Sequence, residues 1–443
     1  MNSLKHNESA AVPAETKLVK CLICGEIFDA SRTSCPVCGV GPENFIPAQE
    51  ESVSFRKDSE RRYVILGSGR AAVSAAEAIR TRDKSGSITM ISAEKELPYT
   101  RPMLTKQMFA EPGPNPFAFC DKDWFETTRV SRVTGTIVSL DVEGKQIVLA
   151  DGSTYPYDKC VYALGAHFFV PPFEGHKDPH VTTLRTLEDL AKLKSLLSEG
   201  KETAIIGGGV VGLEAAWELK RFGCSVTLLE AGPSLMSNRL DPVASGLLQT
   251  LVETSGIRVI SSAAVQKYEN GAVWLADGTE VPANLVVVSC GVRANSALAA
   301  EAGAELGRAI IVNDRMETSI PDVYAAGDCA EFEGMNYALW PEADAQGQTA
   351  GANACGDDVR YASEIYGMSM HLCNTELYAI GKTGGGEDYY VVESLDLQKN
   401  TLKKYFFLDG VLCGATLIGD TSDLPRVTEL INRGAIYGEV FPA

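Results

Sequence analysis

Apolar positions along this chain fall into two copies of one pattern. YVIL (63–66) is a short apolar run, followed by a glycine turn, the alanine-rich stretch RAAVSAAEAIRTR (70–82) and a second run, ITMIS (88–92). TAIIGGGVVGLEAAWELKRFGCSVTLLE (203–230) repeats the order of run, glycine turn, helical stretch and run. Each copy predicts strand, turn, helix and strand, the start of a βαβ unit. Further on, TSIPDVYAAGDCA (318–330) predicts a short strand ending at Gly327-Asp328. From about 361 the pattern is α+β: alternating strands with a DG turn over 389–420, then a closing helix over 423–435. IPAQEESVSFRKDSE (46–60) is polar and charged and reads as a linker.

At 443 residues the chain is too long for one compact core, and two to four domains are expected. Forty basic against 58 acidic residues give a net charge of −18, which argues against nucleic acid or anionic lipid as a partner. No segment approaches the roughly 20 consecutive apolar residues of a membrane helix. The first twenty residues lack the apolar core of a secretory signal, so a cytoplasmic location is expected. Reduced thiols are expected for the twelve cysteines. Four lie in CxxC pairs. The others (Cys120, Cys160, Cys224, Cys290, Cys329, Cys355, Cys373 and Cys413) are scattered, and most of them read as small buried hydrophobes.

The glycine turns carry chemistry. In the first, Gly67-Ser68-Gly69 leads through Ala71 to Ala72; in the second, Gly207-x-Gly209 leads through Val210 and Val211 to Gly212. The first glycine allows a tight turn, the second lets backbone approach a pyrophosphate, and a small third residue lets helix and strand pack closely. The helix N-terminus then faces the phosphate charge. Glu94 and Glu230, at the ends of the second strands, are placed to accept from ribose hydroxyls. One such turn also serves plain strand-to-helix packing; two, each with its acid, point to two bound dinucleotides. Glu230 would repel a 2′-phosphate, and the following Ala231-Gly232-Pro233-Ser234 offers no base, so NADH is expected over NADPH.

With TSIPDVYAAGD added, the chain resembles the FAD- and NAD-dependent reductases of the pyridine nucleotide–disulfide oxidoreductase superfamily over about 61–443. The resemblance implies that the first turn binds the ADP part of FAD, that Asp328 holds its ribityl chain, and that the NAD domain is inserted within the FAD domain. CVYALGA (160–166), with Ala163, resembles the family's short strand-turn that returns from the NAD domain to the FAD domain; Gly291 joins the cofactor-binding set. PYTRPMLTK (98–106) resembles the flavin-side segment of the rubredoxin and ferredoxin reductase branch. By that match Arg101 faces the FAD phosphates and Lys106 sits near the flavin ring, where a cation would stabilise the charge of the reduced form. Glu214 matches a family carboxylate near the nicotinamide that would pair with Lys106. The helix begun by Pro341 would point its N-terminus at the flavin. The 361–443 segment resembles a C-terminal domain that caps the flavin or forms a homodimer face. The CxxxxC of disulfide reductases is absent, and Cys120 lies in the wrong setting for a single redox cysteine, so electrons should leave by another route.

That route starts from CLICGEIFDASRTSCPVCGVGPENF (21–45). Cys21, Cys24, Cys35 and Cys38, spaced C-x2-C-x10-C-x2-C, suit a tetrahedral site for zinc or iron. Gly25 and Gly39 allow the backbone to fold round the sulfurs. The segment resembles rubredoxin knuckles, with Phe28 and Phe45 in aromatic positions, but has a short middle loop and no tryptophan. The cage alone leaves iron and zinc equal; attachment to a flavin reductase without a thiol outlet favours iron.

The expected architecture is α/β: two Rossmann-like dinucleotide-binding domains (the NAD domain inserted in the FAD domain), an α+β C-terminal domain and a small N-terminal rubredoxin-like knuckle domain built on four cysteines. The limits are 17–47 for the metal domain, 48–60 for the linker, 61–175 and 293–360 for the FAD domain, 176–292 for the NAD domain and 361–443 for the C-terminal domain. The expected activity passes hydride from NADH to FAD, then single electrons through an iron centre to a redox protein. The alternatives are an NADH oxidase or flavin reductase with structural zinc, and a redox-sensing, flavin-bearing interaction protein.

Overall fold

The structure is a computed structural model and describes residues 18–48, 59–110, 117–336, 338–383 and 388–442. Most of the expected linker and most of the PGPNPF loop beside Cys120 lie outside the described residues. By its contacts the chain divides into two compact units. One holds Val53–Pro233 and Gly256–Ser363; the other holds Met1–Ser52, Ser234–Ser255 and Glu364–Ala443.

The first unit contains two parallel five-stranded sheets of matching design. One orders Val323–Ala325, Lys159–Tyr162, Arg62–Leu66, Ser87–Ser92 and Val130–Thr134. The other orders Val181–Thr182, Leu285–Val288, Glu202–Ile206, Ser225–Leu229 and Arg258–Ile260. The central strands RYVIL and ETAII are buried at every position but the first, which is why they read as unbroken apolar runs. From each central strand the chain goes first to one side and later to the other, so strand order reverses at its C-terminal end. That switch point is where an open α/β sheet binds ligands, and here it falls on Gly67 and Gly207. Each copy of the pattern also carries a three-stranded antiparallel meander, spanning Ile137–Pro156 and Val265–Pro282, which the chain's apolar pattern did not predict.

CVYALGA plays a different part from the one expected. Its strand, Lys159–Tyr162, precedes every strand of the second sheet, so the chain leaves the first sheet there. The return runs through Val292–Ala294, which pairs antiparallel with Ala166–Phe168.

The alanine content of the helix Arg70–Arg82 is explained by its neighbour, Trp340–Ala354. A Cβ at Gly347 would lie 2.3 Å from the Ala71 carbonyl oxygen, and one at Gly351 would lie 2.4 Å from that of Ala75. Small residues on both helices let the backbones meet.

In the second unit, Leu18–Cys21 is the middle strand of a three-stranded head, between Ile27–Asp29 and Phe45–Ala48. The C-terminal part is a five-stranded antiparallel sheet in the order Gly367–Leu372, Thr375–Gly381, Val411–Ile418, Thr401–Leu408 and Tyr389–Asp396. The helix Leu424–Asn432 packs on it. The last three strands and this helix match the expected pattern; the first two strands were not read from the sequence. No helix among the described residues is long and apolar enough to cross a membrane.

Replacing glycine by alanine inside a helix ordinarily stabilises by up to about 1 kcal/mol. Gly351→Ala should instead destabilise by about 1–3 kcal/mol, because the methyl must displace the Ala75 backbone. Urea unfolding of the pure protein reads the sign directly, and a raised midpoint would contradict the packing described.

Candidate active site and metal centre

Both glycine turns are built by backbone pressing on backbone. Gly67 has φ +109° and Gly207 φ +112°. A Cβ on Gly67 would lie 2.2 Å from the Ala163 carbonyl oxygen, and one on Gly207 would lie 2.3 Å from that of Ser289. The second glycines are the opposite case. Gly69 and Gly209 precede the helices Arg70–Arg82 and Val210–Phe222, no side chain caps either helix, and a Cβ would meet nothing within 4 Å. Open space over uncapped helical N–H groups is a cradle that fits a pyrophosphate. At the third position Ala72 is fully buried, and a Cβ on Gly212 would come within 2.0 Å of the Gly207 carbonyl oxygen. The Ser68 hydroxyl donates to that of Ser92 across the first turn at 3.0 Å, and Gly291 lies in open space with φ +85°.

Around the first turn the structure assembles a charged cluster. Glu94 is ion-paired with Arg101 and accepts from the Tyr99 hydroxyl at 2.6 Å. Arg101 also donates to the Tyr99 oxygen at 2.7 Å and to the Arg185 carbonyl at 3.1 Å. Arg185 in turn holds Asp328 at 2.5 Å. Although burial opposes its charge, Tyr99, Glu94 and Asp328 keep the Arg101 guanidinium above its ordinary pKa. Burial, reinforced by Glu94, pushes the Tyr99 phenol up. The Gly327 N–H is fixed by the Gln346 side chain at 2.9 Å. At the second turn Glu230 accepts from the amides of Gly208 and Gly232, both at 2.6 Å.

Lys106 ends the one-turn helix Met103–Lys106, and Glu214 sits in the second turn of Val210–Phe222. The two form an ion pair at 2.9 Å, with the Glu214 side chain only 4% exposed. Thr105 donates to the other Glu214 oxygen at 2.5 Å. The helix Trp340–Ala354 starts with Pro341 in its first turn, where the sequence placed it.

Tyr99, Thr105, Arg185 and Gln346 were missed in the sequence. Only Arg185 left a local signal: Thr186 and Asp189 form a capping box that opens Leu187–Leu196, which puts Arg185 just before a helix start.

The four cysteines converge as expected. Cys21 and Cys38 sulfurs are 3.6 Å apart, those of Cys24 and Cys35 are 3.4 Å apart, and all four lie within 4.8 Å of one another. A tetrahedron with metal–sulfur bonds of about 2.3 Å has edges of about 3.8 Å, so the donor set fits. Gly25 and Gly39 take φ +72° and +80°, turning each knuckle back on itself. The Val37 N–H reaches the Cys35 sulfur at 3.5 Å, and Phe28 meets Phe45 edge-on. Hydrogen bonds from Cys21, Cys24 and Cys38 pull the Cys35 thiol pKa down, while those of Cys24 and Cys38 are driven up. Thiolates this close need a cation between them before all can ionise.

The remaining cysteines form no disulfide. Burial pushes the Cys329 thiol up to about 12 and Cys290 up to about 11, the latter with help from Glu230.

Comparison with known proteins gives the chain's family and its structural relatives. Residues 61–347 match the pyridine nucleotide-disulphide oxidoreductase family, and residues 369–435 match the rubredoxin NAD+ reductase C-terminal domain. The chain is 31% identical to the rubredoxin-NAD(+) reductase of Pseudomonas putida over 69% of this chain and 85% of that protein. It is 30% identical to the nitrite reductase [NAD(P)H] of Bacillus subtilis over 86% of its own length, but spans only about half (48%) of that relative. The NADH:rubredoxin oxidoreductase structure from Clostridium acetobutylicum superposes with a TM-score of 0.73 at 26% identity, covering 85% of this chain and 96% of that one.

Cys290 is only partly buried, yet it should resist alkylation. With its pKa raised to about 11, the reactive thiolate is scarce at pH 8, and iodoacetamide should label it about a hundredfold more slowly than a free thiol. Peptide mapping across pH should show the rate climbing about tenfold per unit from about pH 8 to about pH 10. Labelling at the free-thiol rate at the lower pH would contradict this placement.

Proposed function

This chain belongs to the pyridine nucleotide-disulphide oxidoreductase family, and from that premise we propose that it is an NADH-dependent FAD oxidoreductase delivering single electrons through an N-terminal iron centre. The acceptor is a one-electron redox protein, by analogy with the relatives' names. The carrying observation is a closed four-thiolate cage in a chain that also has two open glycine cradles. FAD, held at the first cradle by Gly69, Glu94, Arg101 and Asp328, would supply two-electron hydride chemistry with NADH and its proton would go to solvent, and iron held by Cys21, Cys24, Cys35 and Cys38 would supply one-electron transfer.

The chain's residues have defined parts in this reading. The amides after Gly69 and Gly209 receive the two pyrophosphates, and Glu94 and Glu230 accept from the riboses. Arg101 serves the FAD phosphates and Asp328 the ribityl chain, with Arg185 neutralising Asp328. Lys106 places a positive charge beside the flavin ring, and Glu214 with Thr105 holds that ammonium in position. The domain limits drawn from the sequence belong to this proposal, as do a cytoplasmic location and a homodimer face on 361–443.

The deciding experiment is an anaerobic NADH titration followed by absorbance, with metal analysis of the same sample. Iron near one per chain is expected, with the ferric–thiolate bands bleaching as the flavin is reduced. Stoichiometric zinc with flavin bleaching alone would leave a flavin reductase with a structural head.

Two variants probe the flavin side. Lys106→Met should slow flavin reduction by NADH about a hundredfold while FAD content stays at one per chain, read by stopped flow. Wild-type kcat/KM should favour NADH over NADPH by about a hundredfold, and Glu230→Ala should shrink that ratio; equal use of both by the wild type would refute the role given to Glu230.

A further inference from the structure

The head is not grouped with the dinucleotide-binding sheets, although it is tied to them by the linker. Its contacts place it with the C-terminal strands. At the centre of each knuckle stand Ile23 and Val37, which are only 1% and 4% exposed. A module of this size buries little of its own surface, and knuckle loops project outward around their sulfurs, so covered knuckle tips need a second surface. Exposure on the head is greater around Lys20, which is itself partly buried. Lys20 is flanked across the strands by Ile27 and Ile46, both of which are exposed.

The C-terminal sheet shows the complementary asymmetry. Its two edge strands are Tyr389–Asp396 and Gly367–Leu372. Half of the residues in the first are exposed, Tyr390 at 60%; in the second, His371 alone is exposed, with three residues partly buried and two buried. Open edges are a liability that folds cover or blunt. Glu364, just before the covered edge, pairs with Lys20 of the head at 3.4 Å. In the neighbouring strand, Tyr378 is fully buried. The ring is seated by Gly367, whose Cβ would come within 2.2 Å of it, and by a 2.6 Å hydrogen bond to Thr428.

We infer that the edge strand Gly367–Leu372 with Tyr378 forms a dock for the four-cysteine head, which seats its knuckle tips Ile23 and Val37 there. The metal is then carried at a set place on the C-terminal module, and linker length does not decide where it sits. The dock holds for iron or zinc, so it stands apart from the choice of metal in the proposed activity.

The test uses the full-length, metal-loaded protein with a protease site inserted between Glu50 and Glu51. After cleavage the head should co-elute with the body on gel filtration at micromolar concentration. Val37→Asp should weaken retention at least about tenfold, by burying a charge at the contact, while metal content stays at one per chain. Glu364→Lys, a change at an exposed position, should weaken it up to about fivefold, and Lys20→Glu together with Glu364→Lys should restore it. A cleaved wild-type head that elutes alone, or a Glu364→Lys protein that the reciprocal change does not rescue, would overturn the dock. A retained head containing zinc would keep the dock and remove the iron relay.

Discussion

A carbonyl oxygen presses on each glycine turn, and the site is arranged around those two contacts. Ala163 bears on Gly67 and Ser289 on Gly207 at distances that leave no room for a side chain. Each contact locks three pieces of chain together: the end of a central strand, the start of a helix, and the strand on the far side of the switch point. The helix N-termini are thereby aimed into the crevice where strand order reverses. Ala163 and Ser289 follow the strands Lys159–Tyr162 and Leu285–Val288, equivalent positions in the two sheets.

Charge is arranged around these cradles in pairs. Glu94 with Arg101, Asp328 with Arg185 and Lys106 with Glu214 each join groups that are at least partly buried. Such pairs lose hydration and gain little net stability, so their presence is better explained by position than by folding energy. In the proposed function each puts a charge toward a phosphate, ribose or ring of a bound dinucleotide. The cage follows the same logic, since four adjacent sulfurs form a donor set that suits a cation.

Much of this was readable because it is local. The glycine turns, the acids ending the second strands and the CxxC knuckles declare themselves within a few residues, and the structure forms the predicted strands, helices and cage at those places. The two meanders and the strands Gly367–Leu372 and Thr375–Gly381 were missed, being short segments whose identity depends on neighbours they pair with. CVYALGA was recognised as a strand and turn, but its place in the chain path was misread. A parallel strand looks alike whether the chain is leaving a sheet or returning to it.

What the sequence determined by itself is therefore the set of turns, knuckles and helix starts, because backbone sterics and ligand spacing act over a few residues. It also carried the family resemblance from which the Lys106–Glu214 pairing was expected. Tertiary structure alone decided that Arg185 would meet Asp328 across 143 positions, that Gly347 and Gly351 would face Ala71 and Ala75, and that the head would group with the C-terminal sheet. Those outcomes depend on surfaces far apart in the chain. Their fit is set by packing and charge in three dimensions, and no local pattern records it.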